Sequence, residues 1–211
     1  MIKCLYFAEN QKISEKPCLI MPGLGFRADG SWRKTTLPLE KSGLMINDRF
    51  FPNRAGICDA IHALSDWHGL IVLDFERPFS ELLADFAYRL AGKRVLLPPT
   101  YFNLPHEAVI IGPWKGKLPF PNWLTIQKKR YGKIVLDAYP LCLRCAPGGR
   151  SLPWYGALPS TGFPCPGLGC MHCRISDGSI LYWDTRKTLE ERLNSTGVPV
   201  ILFSSDLEAL P

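Results

Sequence analysis

The stretch His68-Gly-Leu-Ile-Val-Leu-Asp-Phe-Glu-Arg-Pro78 decides the fold. In an extended chain, residues two apart point to the same side. Leu70, Val72, Asp74 and Glu76 therefore share one side, and Ile71, Leu73 and Phe75 share the other. A run that is apolar on both faces is the pattern of a strand in a parallel sheet covered by helices. This run also ends in two acids on one side. If the strand lines a barrel, Asp74 and Glu76 reach its C-terminal rim, where barrel enzymes keep their chemistry. Burial raises a carboxyl pKa and a neighbouring carboxylate raises it further, so the pair predicts that Glu76 holds a proton near neutral pH.

Similar runs lie on both sides of it: KCLYF near the start, then CLIMPG from Cys18, GLMIND from Gly43, RVLLPP from Arg94, AVIIGP from Ala108, KIVLDAY from Lys133, SILYWD from Ser179 and PVILFSS from Pro199. Helical spacing appears between some of them, over 55–66 (Ile57, Ile61, Leu64), 79–91 (Leu82, Leu83, Phe86, Leu90) and 186–195 (Leu189, Leu193). Pro78 and Gly92 bracket the second, and Thr185 is an N-cap for the third. Residues 112–132 show no clear helix. Strand–helix alternation predicts an α/β fold in a single domain over 1–211. In KIVLDAYP, Asp137 and Tyr139 repeat the i, i+2 geometry of Asp74 and Glu76 at a second strand end. For either pair, the plainer role is to cap a helix or bind a nearby Arg such as Arg77.

Residues 140–178 differ in kind. They hold five of the eight cysteines, many Pro and Gly, and few aliphatic residues. They read as one Cys/Pro/Gly-rich insertion ending in a hairpin, with Asp177-Gly178 as a type I′ turn. Cys142-x2-Cys145 and Cys170-x2-Cys173 have the paired spacing of a structural zinc site, with Cys165 and His172 as alternates. Zinc ligands, reactive thiols and disulfides are the three readings of these cysteines.

The net charge is +6, but the basic residues are scattered apart from Lys128, Lys129 and Arg130. That run reads as a solvated face, and no nucleic-acid-binding motif is present, so nucleic acid is not an expected partner. No run of about 18 apolar residues occurs, and the N-terminal stretch lacks a signal peptide's apolar core. The expected location is the cytoplasm, with no membrane contact. No His has a Ser or Cys partner at nucleophile spacing, which argues against a catalytic triad.

HGLIVLDFERP resembles the signature strand of family-18 glycoside hydrolases, the chitinases and related enzymes of N-acetylglucosamine polymers, which typically reads D-G-x-D-x-D-W-E-Y-P. The C-terminal stretch ILYWDTRKTLEERLNSTGVPVILFSSDLEAL and the strand LDAYP are similar to further segments of that family. The resemblance implies a (β/α)8 TIM-type barrel, here with short or missing helices, and a carbohydrate partner. It implies catalysis without a cofactor, with Glu76 as acid, Asp74 holding the substrate's N-acetyl group and Tyr139 donating a hydrogen bond to it. Asp137 would stand in for a missing inner aspartate. Trp114, Tyr101 and Trp183, with Trp123 and Trp154, are candidates for the sugar platform, with core packing the plainer role for each. The chain departs from the family pattern at Gly69 and Val72, which replace aspartates, at Phe203, which replaces a tryptophan, and at Pro140. These departures leave a second expectation: an inactive barrel that binds glycan or protein.

Overall fold

In the computed structural model the structure describes residues 3–33, 43–112, 114, 119–149, 151–154, 156–159, 161–165 and 169–211. Parts of the predicted insertion, residues 150, 155, 160 and 166–168, lie outside them. Seven strands come first: β1 (Cys4–Phe7), β2 (Cys18–Gly25), β3 (Gly43–Asn47), β4 (Leu70–Asp74), β5 (Arg94–Leu97), β6 (Ala108–Ile111) and β7 (Ile134–Asp137). Five short ones follow: β8 (Cys142–Cys145), β9 (Ser151–Pro153), β10 (Phe163–Pro164), β11 (Met171–Arg174) and β12 (Ile180–Trp183). The last is β13 (Val200–Phe203).

Strands β1 to β7 and β13 close an eight-stranded barrel in the order β1-β13-β7-β6-β5-β4-β3-β2. Its strands are of mixed orientation: β1 runs antiparallel to both neighbours, and the other adjacent pairs are parallel. The closed barrel is as expected, but its mixed strand orientation and five described helices fall short of a (β/α)8 arrangement. Residues 8–17, between β1 and β2, fold into tight turns (Gln11 N–H to Ala8 C=O, 3.0 Å; Glu15 N–H to Lys12 C=O, 2.9 Å). So short a link carries no crossover helix, and a parallel return needs one.

Among the described residues, helices α1 (Arg54–Ala63), α2 (Glu81–Arg89), α3 (Phe120–Tyr131) and α4 (Arg186–Asn194) lie between parallel barrel strands, and α5 (Ser204–Glu208) follows β13. A single 3-10 turn at Pro99–Tyr101 takes the place of a helix between β5 and β6. α1 starts where the Asn53 side chain accepts the Gly56 N–H at 2.7 Å, and α4 starts in a capping box between Thr185 and Thr188. Helix α3 was not expected. It buries only Phe120 and Leu124 and carries Lys128, Lys129 and Arg130 in its last turn, so its apolar stripe is too thin to show. The basic run suits a helix C-terminus, where the backbone dipole is negative.

The apolar residues separate into an inner and two outer layers. Cys4, Ile20, Met45, Leu70, Val72, Leu96, Ala108, Val135 and Ile201 fill the barrel, with Tyr6, Ile110 and Phe203 packed against them. Ile71, Leu73 and Phe75 point outward into a layer with α1 and α2, as the alternation along β4 predicts. A second outer layer joins β7 and β13 to α3 and α4.

Strands β10-β11-β12-β8-β9 form a separate antiparallel sheet between β7 and α4 in the chain. SILYWD therefore belongs to this sheet and not to the barrel. The β11–β12 hairpin exists, but its turn differs from the type I′ expectation. The Gly178 N–H bonds Ile175 C=O at 3.0 Å, and the Ile175 N–H bonds Ser179 C=O at 2.9 Å. Ser176 and Asp177 thus sit at the turn centre, and Gly178, with φ +82°, is the left-handed third residue of the loop.

Candidate functional site at the C-terminal rim of the barrel

Asp74 and Asp137 are the last residues of β4 and β7, two positions beyond the inward Val72 and Val135. Both are half-buried. Burial is the first cause that pushes the Asp74 carboxyl up to about 6, followed by repulsion from Glu76 and Asp48. Burial also lifts Asp137 to about 6, followed by repulsion from Asp74, Asp206 and Glu76. The four carboxyl groups Asp74, Glu76, Asp137 and Asp206 therefore share one electrostatic environment, drawn from β4, β7 and α5. Burial likewise raises Asp206. Because β1 runs the opposite way, Cys4 at its start reaches the same end of the barrel. Its thiol is pushed up to about 12 by burial, then by Asp137 and Asp74, so it stays protonated.

Glu76 lies just past the end of β4 and is exposed. The burial expected at Glu76 falls on Asp74 and Asp137 instead. Glu76 forms no ion pair with a described residue. Arg77, its suspected partner, is used elsewhere. Its backbone N–H donates to Asp48 Oδ2 at 2.7 Å, its guanidinium donates to the Arg49 carbonyl at 2.6 Å, and the guanidinium sits over the Phe51 ring.

Tyr139 is 57% exposed beyond the end of β7. It lines a small pocket with Asp137, Trp114, Trp123 and Arg192. Three of the five candidates for the sugar platform pack in the core. Trp183 and Tyr101 are each 1% exposed and Trp114 is 7% exposed. Trp183 packs where Gly162 leaves no room for a Cβ. Tyr101 accepts the Ser80 N–H on its hydroxyl at 3.0 Å and contacts the rings of Phe75 and Phe79. The Arg192 guanidinium covers Trp114. Phe79 (60% exposed), shortly after Glu76, and Tyr139 present exposed rings.

Four contributors had no sequence signal of their own: Cys4, Asp206, Asn47 and Gly112. Asn47 is the β3 residue in register with Asp74. A Cβ at Gly112 would stand 2.7 Å from the Asp137 carbonyl oxygen, so only glycine lets β6 end this close to Asp137. Each could have been found only from the closure of the barrel, which brings distant strand ends together.

The two CxxC pairs do not assemble a four-thiolate site. A zinc knuckle folds its two cysteines around one ion, but Cys142 and Cys145 bound a β-strand and face opposite sides of it. Strand β12 separates them from the strand carrying Cys173. Cys142 Sγ contacts the Trp154 carbonyl at 3.2 Å, Cys145 Sγ contacts Ser151 Oγ at 3.2 Å, and Cys165 Sγ contacts His172 Nδ1 at 3.4 Å. Among the described residues no group of three or more His, Cys, Asp or Glu is arranged to hold a metal ion.

No family model matches the chain, and no curated protein matches it. Among solved structures it is similar to the crystal structure of ydhD from Bacillus subtilis, described as a candidate sporulation-specific glycosylase. The TM-score is 0.56 at 9% identity, over 96% of each chain. That likeness shows a shared barrel fold. No described helix is long and apolar enough to cross a membrane.

Proposed function

We propose that this chain is a glycoside hydrolase of N-acetylamino-sugar glycans, acting by substrate-assisted, retaining hydrolysis. The observation that carries this reading is the gathering of Asp74, Glu76 and Asp137 at the C-terminal end of a barrel. The shared fold with a candidate glycosylase supports it. Glu76 protonates the glycosidic oxygen as the bond to the anomeric carbon breaks. The substrate's acetamido oxygen attacks that carbon, so no enzyme nucleophile is needed. Water then opens the cyclic intermediate, giving its proton to Glu76, and the configuration is retained. Glu76 is exposed before binding, and a bound sugar ring is what buries it. Asp74 orients the acetamido group, Tyr139 donates a hydrogen bond to it, and Asp137 neighbours both.

The test compares two aryl β-glycosides with one leaving group, N-acetylglucosaminide and glucoside. Turnover of the first and none of the second is expected. Equal turnover contradicts the acetamido role.

One observation favours a second reading, a barrel that binds glycan without cleaving it. Val72 is 1% exposed inside the barrel beneath Asp74, so an apolar side chain replaces any proton relay there. Saturable glycan binding with no product release is the outcome that selects it.

A further inference from the structure

Beside the carboxylate cluster, the barrel rim carries a pocket of opposite character. It measures about 170 Å3 and is lined by Gly23, Gly25, Arg33, Asn47, Arg49 and Phe50, among others. Its neighbourhood to the acids is fixed by strand pairing: Asn47 is in register with Asp74 on one side and with Gly25 on the other, and adjacent strands lie about 4.8 Å apart.

The local chain is shaped for this opening. The register between β2 and β3 shifts between Met21 and Leu24, where Pro22 and Gly23 (φ +86°) form a bulge. Bulges of this kind re-aim a strand end beside a site. A Cβ at Gly25 would stand 3.0 Å from the Asn47 carbonyl and 3.1 Å from Asn47 Oδ1. The Arg33 N–H donates to the Gly25 carbonyl at 3.2 Å, and the Arg49 N–H donates to Asn47 Oδ1 at 3.2 Å, so both arginine backbones are tied to the pocket wall. Arg49 lies over the Phe50 ring. Neither guanidinium is ion-paired with a described residue, and Asp48 next door spends a carboxylate oxygen on the Arg77 N–H.

We propose that this pocket binds a carboxylate on the sugar ring next to the one presented to Glu76, so that the substrate is an acidic amino-sugar polymer of the peptidoglycan type rather than a neutral chitin-like chain. The proposal rests on the glycosidase reading above and specifies its substrate class. A guanidinium meets a planar carboxylate with two parallel hydrogen bonds. A neutral ring in the same place would desolvate two cations without compensating them. The acids at β4, β7 and α5 repel a carboxylate, which directs the charged ring to β2 and β3 and the neutral one to Glu76. The net charge of +6 draws an anionic polymer toward the protein from a distance.

The test measures calorimetric binding to the folded, non-cleaving Glu76→Gln protein of three tetrasaccharides at low salt: N-acetylglucosamine only, the same length with a lactyl carboxylate on alternate rings, and that saccharide with its carboxylates converted to amides. The carboxylated probe should bind about tenfold tighter than the other two, the size of one charge-assisted hydrogen bond. Replacing both exposed arginines (Arg33→Gln with Arg49→Gln) should erase that preference without weakening the binding of the neutral probe. Equal binding of the carboxylated and neutral probes, or a preference that survives the double variant or the amidation, overturns this proposal and leaves the glycosidase reading standing. Absence of binding by all three overturns both.

Discussion

Asp74 and Asp137 are where the site is most sensitive to protons. Both carboxyls are raised from the ordinary 3.8 to about 6, by burial first and by neighbouring acids second. Between those two values the folded chain holds protons that the unfolded chain has released. The stability they contribute is fully present below the lower value and is lost as pH rises through about 6. The thermal midpoint should therefore fall across that window in the wild type and fall less in Asp74→Asn and Asp137→Asn. Both variants should be the more stable near neutral pH. A wild-type midpoint that rises across the window, or variants that fall as steeply, contradicts this. Asp74 and Asp137 were legible because each ends an apolar run at an inward position. Their electrostatic partner Asp206 was not, because its placement depends on where β13 and α5 deliver it. The exposure of Glu76 was not legible either, since β4 stops at Asp74 and the inward alternation stops with it.

Helix α4 shows how an element is fastened to the barrel. Arg192 and Asp184 form a doubly hydrogen-bonded pair, both contacts 2.6 Å, with side chains 5% and 0% exposed. Asp184 also accepts the Leu141 N–H at 2.6 Å, so one carboxylate ties α4 to the segment that leaves β7. Its neutral amide in Asp184→Asn strands a buried guanidinium, and removing one partner of such a pair costs about 3–5 kcal/mol. Urea unfolding of that variant should show a loss of this size, and a change below about 1 kcal/mol would mean the pair is not desolvated. The elements themselves were read unevenly. α1, α2 and α4 announce themselves by apolar spacing and by Pro78, Gly92 and Thr185. α3 has two buried residues, and its basic last turn reads as a solvated loop. In the small sheet, the CxxC spacing suggested a metal knuckle, but Leu143 and Leu181 take part in a strand ladder that holds the cysteines extended.

At the scale of the whole molecule, a barrel was legible because strand after strand is apolar on both faces, which only an enclosed sheet accommodates. The parallel direction of β2 to β7 and β13 was legible from the strand–helix alternation, but the reversal of β1 was not, since its own residues carry no sign. The antiparallel β1 follows from the shortness of residues 8–17, a feature of linkers rather than of strands. This reversed strand is also what brings Cys4 to the end of the barrel that carries Asp74 and Asp137. The activity proposed for this rim is cleavage of an amino-sugar glycan with Glu76 as the acid. The direct measurement is the release of new reducing ends from N-acetylglucosamine-containing polysaccharide by the wild type and by Glu76→Gln, with circular dichroism to confirm that both are folded. Release by the wild type and a loss of at least about a hundredfold in the folded variant are expected. Full activity in Glu76→Gln, or no release by the wild type, would contradict the proposal.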